Sequence, residues 1–375
     1  MNRGFYLTLM MGSFNASPVP QAVIDALTDV QVTSTVGSQG GFQLKFTLGK
    51  QSPLQQMLVS GYFDPRRRVI IAVTVNGSTE VLMDGIITKQ DVTPSNAPGK
   101  ATLTVTGLDL TALMDFLDLT GIPYPALPEF VIVEIILAKY LVLGVVPLAL
   151  PASIPNFENP LDHFIKQEGT DYNFVTTLAR QTGAVFYLDP GPSPGRSLAY
   201  WGPDLSKMFG GIQPALSINF DGASNIDSLS FSYDGTLATQ YFVTIIEPNT
   251  KIPIPIPVPN IDLLKAPLAA HAPTPLKSQQ LKPTANESPM GAALAGLAAL
   301  FKSADVVTAS GQLDVLRYGH VFKARQLAAV RGGGAYYDGK YYVKSVTHNI
   351  KRGEYKQSFS LARGGTGSSV STVSV

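Results

Sequence analysis

Residues 66–88, RRRVIIAVTVNGSTEVLMDGIIT, constrain this chain more than any other stretch. Two apolar, β-branched runs flank Asn76-Gly77. A two-residue hairpin turn of type I′ needs positive φ at both central positions, and Asn-Gly meets that need at low steric cost. The stretch is therefore predicted to be a β-hairpin. GGFQLKFTLG (40–49) alternates Phe42, Leu44, Phe46 and Leu48 with polar residues, so one face of that strand is buried. KATLTVTGLDL (100–110) alternates the same way after a turn at Pro94–Gly99. Short antiparallel strands following one another through residues 1–112 point to a barrel or a sandwich.

The pattern changes after residue 112. TALMDFLDL and residues 129–143 have helical character, and PASIPNFENP (151–160) is a proline-spaced linker. Next comes GTDYNFVTTLARQTGAVFYL (169–188). Thr170 or Asp171 can cap a helix start, Phe174, Leu178 and Ala179 form an apolar stripe, and Gly183 suits the left-handed position at a helix end. AVFYLDP and SLAYWGP, with Tyr187 and Trp201, read as a hairpin under that helix. Strand signals resume at LSINFDG (216–222) and IDSLSFSYDG (226–235), and they return in the closing segments up to EYKQSFSLAR. Prolines crowd residues 248–289, a polyproline-like excursion, and GAALAGLAALFKSA (291–304) is a short helix of small residues.

The expected fold is mainly β with an α+β joint: two tube-like antiparallel β-barrel domains linked by a helix-plus-hairpin region. The domains are 1–112, the first barrel; 113–205, the connecting domain; and 206–365, the second barrel with its insertion and helix at 248–310. Residues 366–375 are expected to be a flexible tail.

Composition narrows the function classes. Charged residues make up 15% of the 375-residue chain, which favours surface buried in an assembly, with a few large cores as the alternative. Net charge is +1, too small to act as a global field for nucleic acid. Cysteine is absent, excluding disulfides, thiolate metal sites and a cysteine nucleophile. Residues 130–150, FVIVEIILAKYLVLGVVPLAL, are apolar enough to raise a membrane span. Glu134 and Lys139 would sit mid-span at about 3 kcal/mol each, so a buried helix with both pointing outward is expected. The N-terminal run reads as a weak signal peptide or as a first strand through Phe5, Leu7 and Leu9.

Chemistry is sparse. The four histidines, His163, His271, His320 and His348, lack metal-ligand spacing, and there is no GxSxG, Walker A or GxGxxG motif. Asp189, Asp204, Asp221 and Asp227 offer acid pairs for glycoside hydrolysis but sit where turns use Asp. Tyr187, Tyr200 and Trp201 form either a sugar platform or a cross-strand aromatic cluster. Residues 317–363 hold ten bases against two acids, whereas residues 101–138 hold five acids and no base. Lys340, Lys344, His348, Lys351, Arg352 and Lys356 are thus candidate subunit or partner contacts, with the acidic segment of a neighbouring copy as one counterpart. The interleaved tyrosines leave single-stranded nucleic-acid binding as an alternative. No catalytic residue, cofactor or metal is expected.

The stretch 167–203 resembles the hub proteins of contractile tails: phage baseplate hubs, late control protein D and the N-terminal part of VgrG-type spike proteins. Asp171, Phe174, Leu178, Ala179, Gly183, Phe186 and Tyr187 fall on that family's "F-x-x-x-L-A-x-x-x-G" helix and aromatic strand. GKYYVKSVTHNIKRGEYKQSFSLAR (339–363) is similar to its last hairpin, through Tyr342, Val346, His348, Ile350, Tyr355, Phe359 and Leu361. The resemblance covers most of 1–365. It implies a non-enzymatic homotrimer whose six barrels join a sixfold inner tube to a threefold spike. It also implies that Asp171, Phe174, Leu178, Gly183, Tyr187 and Trp201 build a structural joint. The implied partners are a separate spike or tip protein, an inner tube or tube-initiator protein, baseplate wedge components and the tape-measure protein, with neither nucleic acid nor a membrane span. Such a protein is assembled in the bacterial cytoplasm into a phage tail or phage-tail-like particle. The rival reading is a secreted β-rich carbohydrate-binding or hydrolytic protein.

Overall fold

The computed structural model describes residues 4–97, 100–151, 165–204, 211–219, 224–246, 253–257, 268–280 and 305–368. Most of the 151–160 linker, the 291–304 helix, His163, Asp221 and the end of the tail lie outside them.

The first region contains strands β1 (Phe5–Gly12), β2 (Ser17–Pro18), β3 (Leu27–Thr35), β4 (Gly41–Thr47), β5 (Arg68–Val75), β6 (Ser78–Thr93) and β7 (Thr102–Asp109). The predicted hairpin is β5–β6. Asn76 and Gly77 take φ of 50° and 83°, and Val75 pairs with Ser78. Two short helices, α1 (Gln21–Ala26) and α2 (Pro53–Val59), bury Val23 and Leu54 against the strands.

The connecting region holds α3 (Glu129–Ala138), β8 (Pro123–Tyr124), β9 (Val145–Ala149), β10 (Ile165–Lys166), α4 (Asp171–Thr182), β11 (Val185–Pro190) and β12 (Ser197–Gly202). The expected helix over 129–143 is shorter. It ends at Ala138, and Gly144, at φ 80°, turns the chain into β9. β9 joins the β11–β12 hairpin, pairing parallel with β12. TALMDFLDL forms only a 3₁₀ turn, Leu110–Asp115, capped by Asp109. Among the described residues no helix is long and apolar enough to cross a membrane.

The last region holds β13 (Ile212–Ser217), β14 (Ser228–Tyr233), β15 (Thr239–Ile246), β16 (Pro253–Pro257), β17 (Ala269–His271), β18 (Lys277–Gln280), β19 (Val307–Asp314), α5 (Val315–Tyr318), β20 (Leu327–Arg331), β21 (Gly339–Lys351), β22 (Glu354–Arg363) and β23 (Thr366–Ser368). Two expectations are corrected here. Part of the proline-rich excursion is ordered, as β16 pairs with β15. The start of the expected tail is also ordered: β23 pairs with β17, tying Ala269 and His271 to Ser368 and Thr366.

The fold is mainly β with an α+β joint, as expected. The two β regions, however, form one sheet. β3 pairs with β21 from Asp29–Lys351 to Thr35–Ser345, so the order runs β14-β19-β22-β21-β3-β4-β7-β6-β5-β1-β2. No closed barrel is found among the described residues. Val30, Val32, Leu44 and Phe46 share one core with Val346, Ile350, Phe359 and Leu361. Period-two alternation makes this possible, because each strand sends every second side chain to the same face.

Arg68 on β5 fastens this sheet to the joint. Its guanidinium meets buried Asp84 through Nε–Oδ1 at 2.8 Å and Nη2–Oδ2 at 2.7 Å, and Nη2 also donates to Leu143 O at 2.7 Å. Burial pushes the Asp84 carboxyl up, and Arg68 opposes that shift. Removing one member strands a buried charge, whereas removing both does not. Asp84→Ala should lose about 3–5 kcal/mol in denaturant melts. Arg68→Met/Asp84→Leu should recover much of that loss; a double variant as weak as the single would refute the pairing argument.

Candidate functional site

The joint is built on α4. Thr170 caps it by accepting from Asn173 N at 3.3 Å, and Gly183 ends it at φ 68°. The helix turns Phe174, Val175, Leu178 and Ala179 into a second core with Ile132, Val133, Ile136, Leu188 and Trp201. Phe174 stacks on Tyr124 at 6.0 Å. Trp201 is fully buried, and its Nε1 donates to Val175 O at 3.3 Å, closing the hairpin onto the helix. A fully buried indole cannot serve a sugar. Tyr187 and Tyr200 stack across the hairpin at 5.1 Å, and burial raises both hydroxyls to about 12. The six expected joint residues thus lie in one helix-on-hairpin unit. Gly183 supplies the turn, and Tyr187 lies on the side facing the large sheet.

Polar groups lock the unit. Buried Asp171 accepts from Gln167 Nε2 at 2.8 Å and Tyr140 OH at 2.8 Å, and lies 2.5 Å from Lys139 Nζ. Tyr124 OH donates to Gln167 Oε1 at 2.9 Å. Burial and the Asp171 carboxylate both raise the Tyr140 hydroxyl. Lys139, placed outward by the sequence reading, bends back to this carboxylate. Glu134 is exposed and accepts from Ala149 N at 3.1 Å.

Sequence reasoning missed Arg325. Its φ of 63° is unusual for a non-glycine residue. From the last region its side chain reaches the other two: Nη1 donates to Ser34 Oγ at 3.0 Å, Nη2 donates to Leu188 O at 3.3 Å, and the guanidinium lies over Tyr187 at 4.6 Å. It also draws down the carboxyl of Asp109, which burial pushes up. No local motif marks such a residue.

The basic strands differ from expectation. Half of the ten bases are matched by acids within the chain, among them Lys323 by Glu80 at 2.6 Å, Lys344 by Asp305 at 2.7 Å, and Lys356 by Glu354 at 3.3 Å. Lys351 lies 3.9 Å from Asp29, Arg317 pairs with Asp227, and Arg352 donates to Asp25 O. These pairs reduce the segment's ten-to-two imbalance on the folded surface. The acidic 101–138 segment supplies none of these partners. Arg363 is buried, donating to the Asp338 and Tyr336 carbonyls while stacked on Tyr341. His348 is a correction to the interface set. It is 5% exposed, with Nδ1 2.8 Å from Tyr355 OH, and burial lowers its pKa to about 3. Lys340, Lys344, Lys351, Arg352 and Lys356 remain on the surface. Among the described residues no group of three His, Cys, Asp or Glu is placed to hold a metal.

No family model and no curated protein matches the sequence. Solved structures do match the fold. A tail protein from Neisseria meningitidis MC58 superposes with a TM-score of 0.61 at 13% identity, covering 97% of this chain and 98% of that one. The 43 kDa tail protein of prophage MuSo2 from Shewanella oneidensis gives 0.61 at 15% identity, covering 96% and 98%. The chain has the fold of phage tail proteins. A structure of the Francisella PdpA–VgrG complex gives 0.59 at 10% identity, and there this chain spans about half of the matched chain, 53%. The tail fold therefore recurs in a complex that includes VgrG, as the hub resemblance implies.

Two outcomes follow from this geometry. Phe174→Ala should cost about 3–5 kcal/mol, since it empties a stacked position in the joint core; an unchanged melting temperature would refute that. His348 is neutral when folded and takes a proton near pH 6.5 when unfolded, so the stability it contributes above pH 6.5 is lost as pH falls toward 3. Between pH 7.5 and 4.5 this should remove about 2–3 kcal/mol. His348→Gln should flatten that part of the stability–pH curve.

Proposed function

We propose that this chain is a structural, non-enzymatic hub protein of a contractile-tail or injection-system baseplate. In this reading it acts as a homotrimer, joining a sixfold inner tube to a threefold spike. The observation that carries it is end-to-end likeness, at TM-score 0.61, to two tail proteins of nearly the same length. The architecture supports it. One chain brings two β regions across one joint, so three chains bring six, as a three-to-six adaptor requires. The joint is tied by Arg68, Arg325 and Asp171, which suits a part that must hold the spacing of the β regions under load.

Its partners in this reading are further copies of itself, a spike or tip protein, the tube or its initiator, baseplate wedge components and the tape-measure protein. It is assembled in the bacterial cytoplasm and ends up in a phage tail or phage-tail-like particle. The carbohydrate-binding alternative loses its best feature, because Trp201 is inside the joint. Native mass spectrometry of the purified chain should give three times the chain mass, with rings in negative stain. A strict monomer that stays monomeric with the spike protein added would overturn the trimer.

A further inference from the structure

The large sheet has an apolar core on one face and a polar face opposite. On the polar face hydroxyls and amides form rows. Ser230, Ser310, Ser360 and Ser345 lie in register on β14, β19, β22 and β21. The Thr33 and Thr347 hydroxyls are 3.1 Å apart, and Gln31 Nε2 donates to Asn349 at 3.1 Å. The joint differs, because part of its outer surface is apolar.

Helix α3, EFVIVEIILA, is apolar on every side apart from Glu129 and Glu134. Ile132, Val133, Ile136 and Leu137 fill the joint core, yet Ile135 and Ala138 are exposed. Tyr140 N, Leu143 N and Gly144 N each donate to the carbonyl three residues back, so 3₁₀ turns carry the chain on from α3. Ile135, Ala138 and Leu141 recur every third residue, which keeps them on one side of that path. Val142, beside Leu141, is 67% exposed. A surface helix ordinarily turns a polar side to water, and a helix apolar all round is a covered one. A second exposed group is Phe116, Leu117 and Ile122. Both groups border the start of α4. Thr170 Oγ1 donates to Asp115 at 2.5 Å and Asp118 bridges to Thr170, while Lys139 and Tyr140 reach Asp171.

The margin is acidic. Asp115, Asp118, Glu134 and Glu168 are all exposed. Of the bases nearby, Lys139 is held by buried Asp171, Arg66 lies over the Phe116 ring at 5.2 Å, and Lys166 is exposed on β10. Exposed apolar groups ringed by polar ones mark a contact surface. A strand is a poor fit here. β9 is the outer strand of the joint's sheet, Pro147 has no N–H to offer, and Glu134 takes the N–H of Ala149. An anionic lipid surface would be repelled by the acids. An amphipathic helix with basic residues flanking its apolar stripe complements both the apolar groups and the charge.

We propose that this surface of the joint docks such a helix from another protein. Its apolar stripe lies on Ile135, Leu141, Val142, Phe116 and Leu117, and its Lys or Arg side chains face Asp115, Asp118 and Glu134. The contact goes beyond the hub reading and holds whether or not the chain is trimeric.

A random-peptide display library would be panned on the full chain, discarding peptides that also bind Ile135→Gln/Val142→Gln. The retained peptides should share apolar residues at i, i+3, i+4 and i+7 with Lys or Arg beside them. A synthetic copy of the best should bind the parent in fluorescence anisotropy. Phe116→Gln/Leu117→Gln, an independent variant, should weaken it about tenfold. Asp118→Asn/Glu134→Gln should weaken it and flatten its salt dependence. The altered positions are exposed, so melting temperatures should hold. Retained peptides that are acidic or of alternating strand pattern, or no peptide that tells parent from variant, would overturn the proposal. So would neutral phosphatidylcholine vesicles that float the parent and not the variant. A variant that drops to a smaller oligomer than the parent would assign the surface to a second copy and overturn it too.

Discussion

The pairing of β3 with β21 is the contact on which the rest depends. It joins residues 29–35 to 345–351 and turns two sequence-distant β regions into one sheet. Each pair places one side chain on the core face and the next on the polar face, so a slip of one residue would turn the core residues of the slipped strand to the polar face. Val30 and Val32 fill the same core as Val346 and Ile350 only in the observed register. The shared core, the polar rows and the position of the joint above the sheet all follow from it.

The joint is held by buried polar groups that bond one another across its elements. Buried polar groups cost free energy unless they are bonded. Here Asp171 takes two hydrogen bonds and a cation, Gln167 links Tyr124 to Asp171, and Asp84 holds Arg68 in two-point contact. Each bond crosses between elements, so bending the joint would break several at once. Arg325 adds a tie to the large sheet from a third region.

Charge tells a related story. A basic segment need not make a basic surface. Lys351 on β21 and Lys356 on β22 lie beside acids from β3 and the turn before β14, and these charges offset one another. What remains on that face is mostly hydroxyl and amide, which neither draws nucleic acid by charge nor sticks by apolar contact.

Local chemistry was enough for several features. Asn76-Gly77 set its hairpin turn, since few residue pairs accept two positive φ angles. Thr170 and Gly183 bounded α4 through the caps a helix needs, and Phe174 and Leu178 marked its buried side. Alternation revealed the strands from 40 to 49 and from 100 to 110. LTDVQVTST (27–35) and residues 307–314 also form strands, and their alternation is present in the sequence. Other features depend on residues hundreds of positions apart. Helix α3 stops at Ala138, and the chain after Gly144 pairs as β9 with β12, some fifty residues on. The burial of His348 depends on β22 and its neighbours, and the charge pairing on acids from both the first and the last region. Turns and caps are written within a few residues, where sterics and one hydrogen bond decide. Strand order, charge pairing and open edges are set when distant segments compete for the same core, and only the tertiary structure resolves that competition.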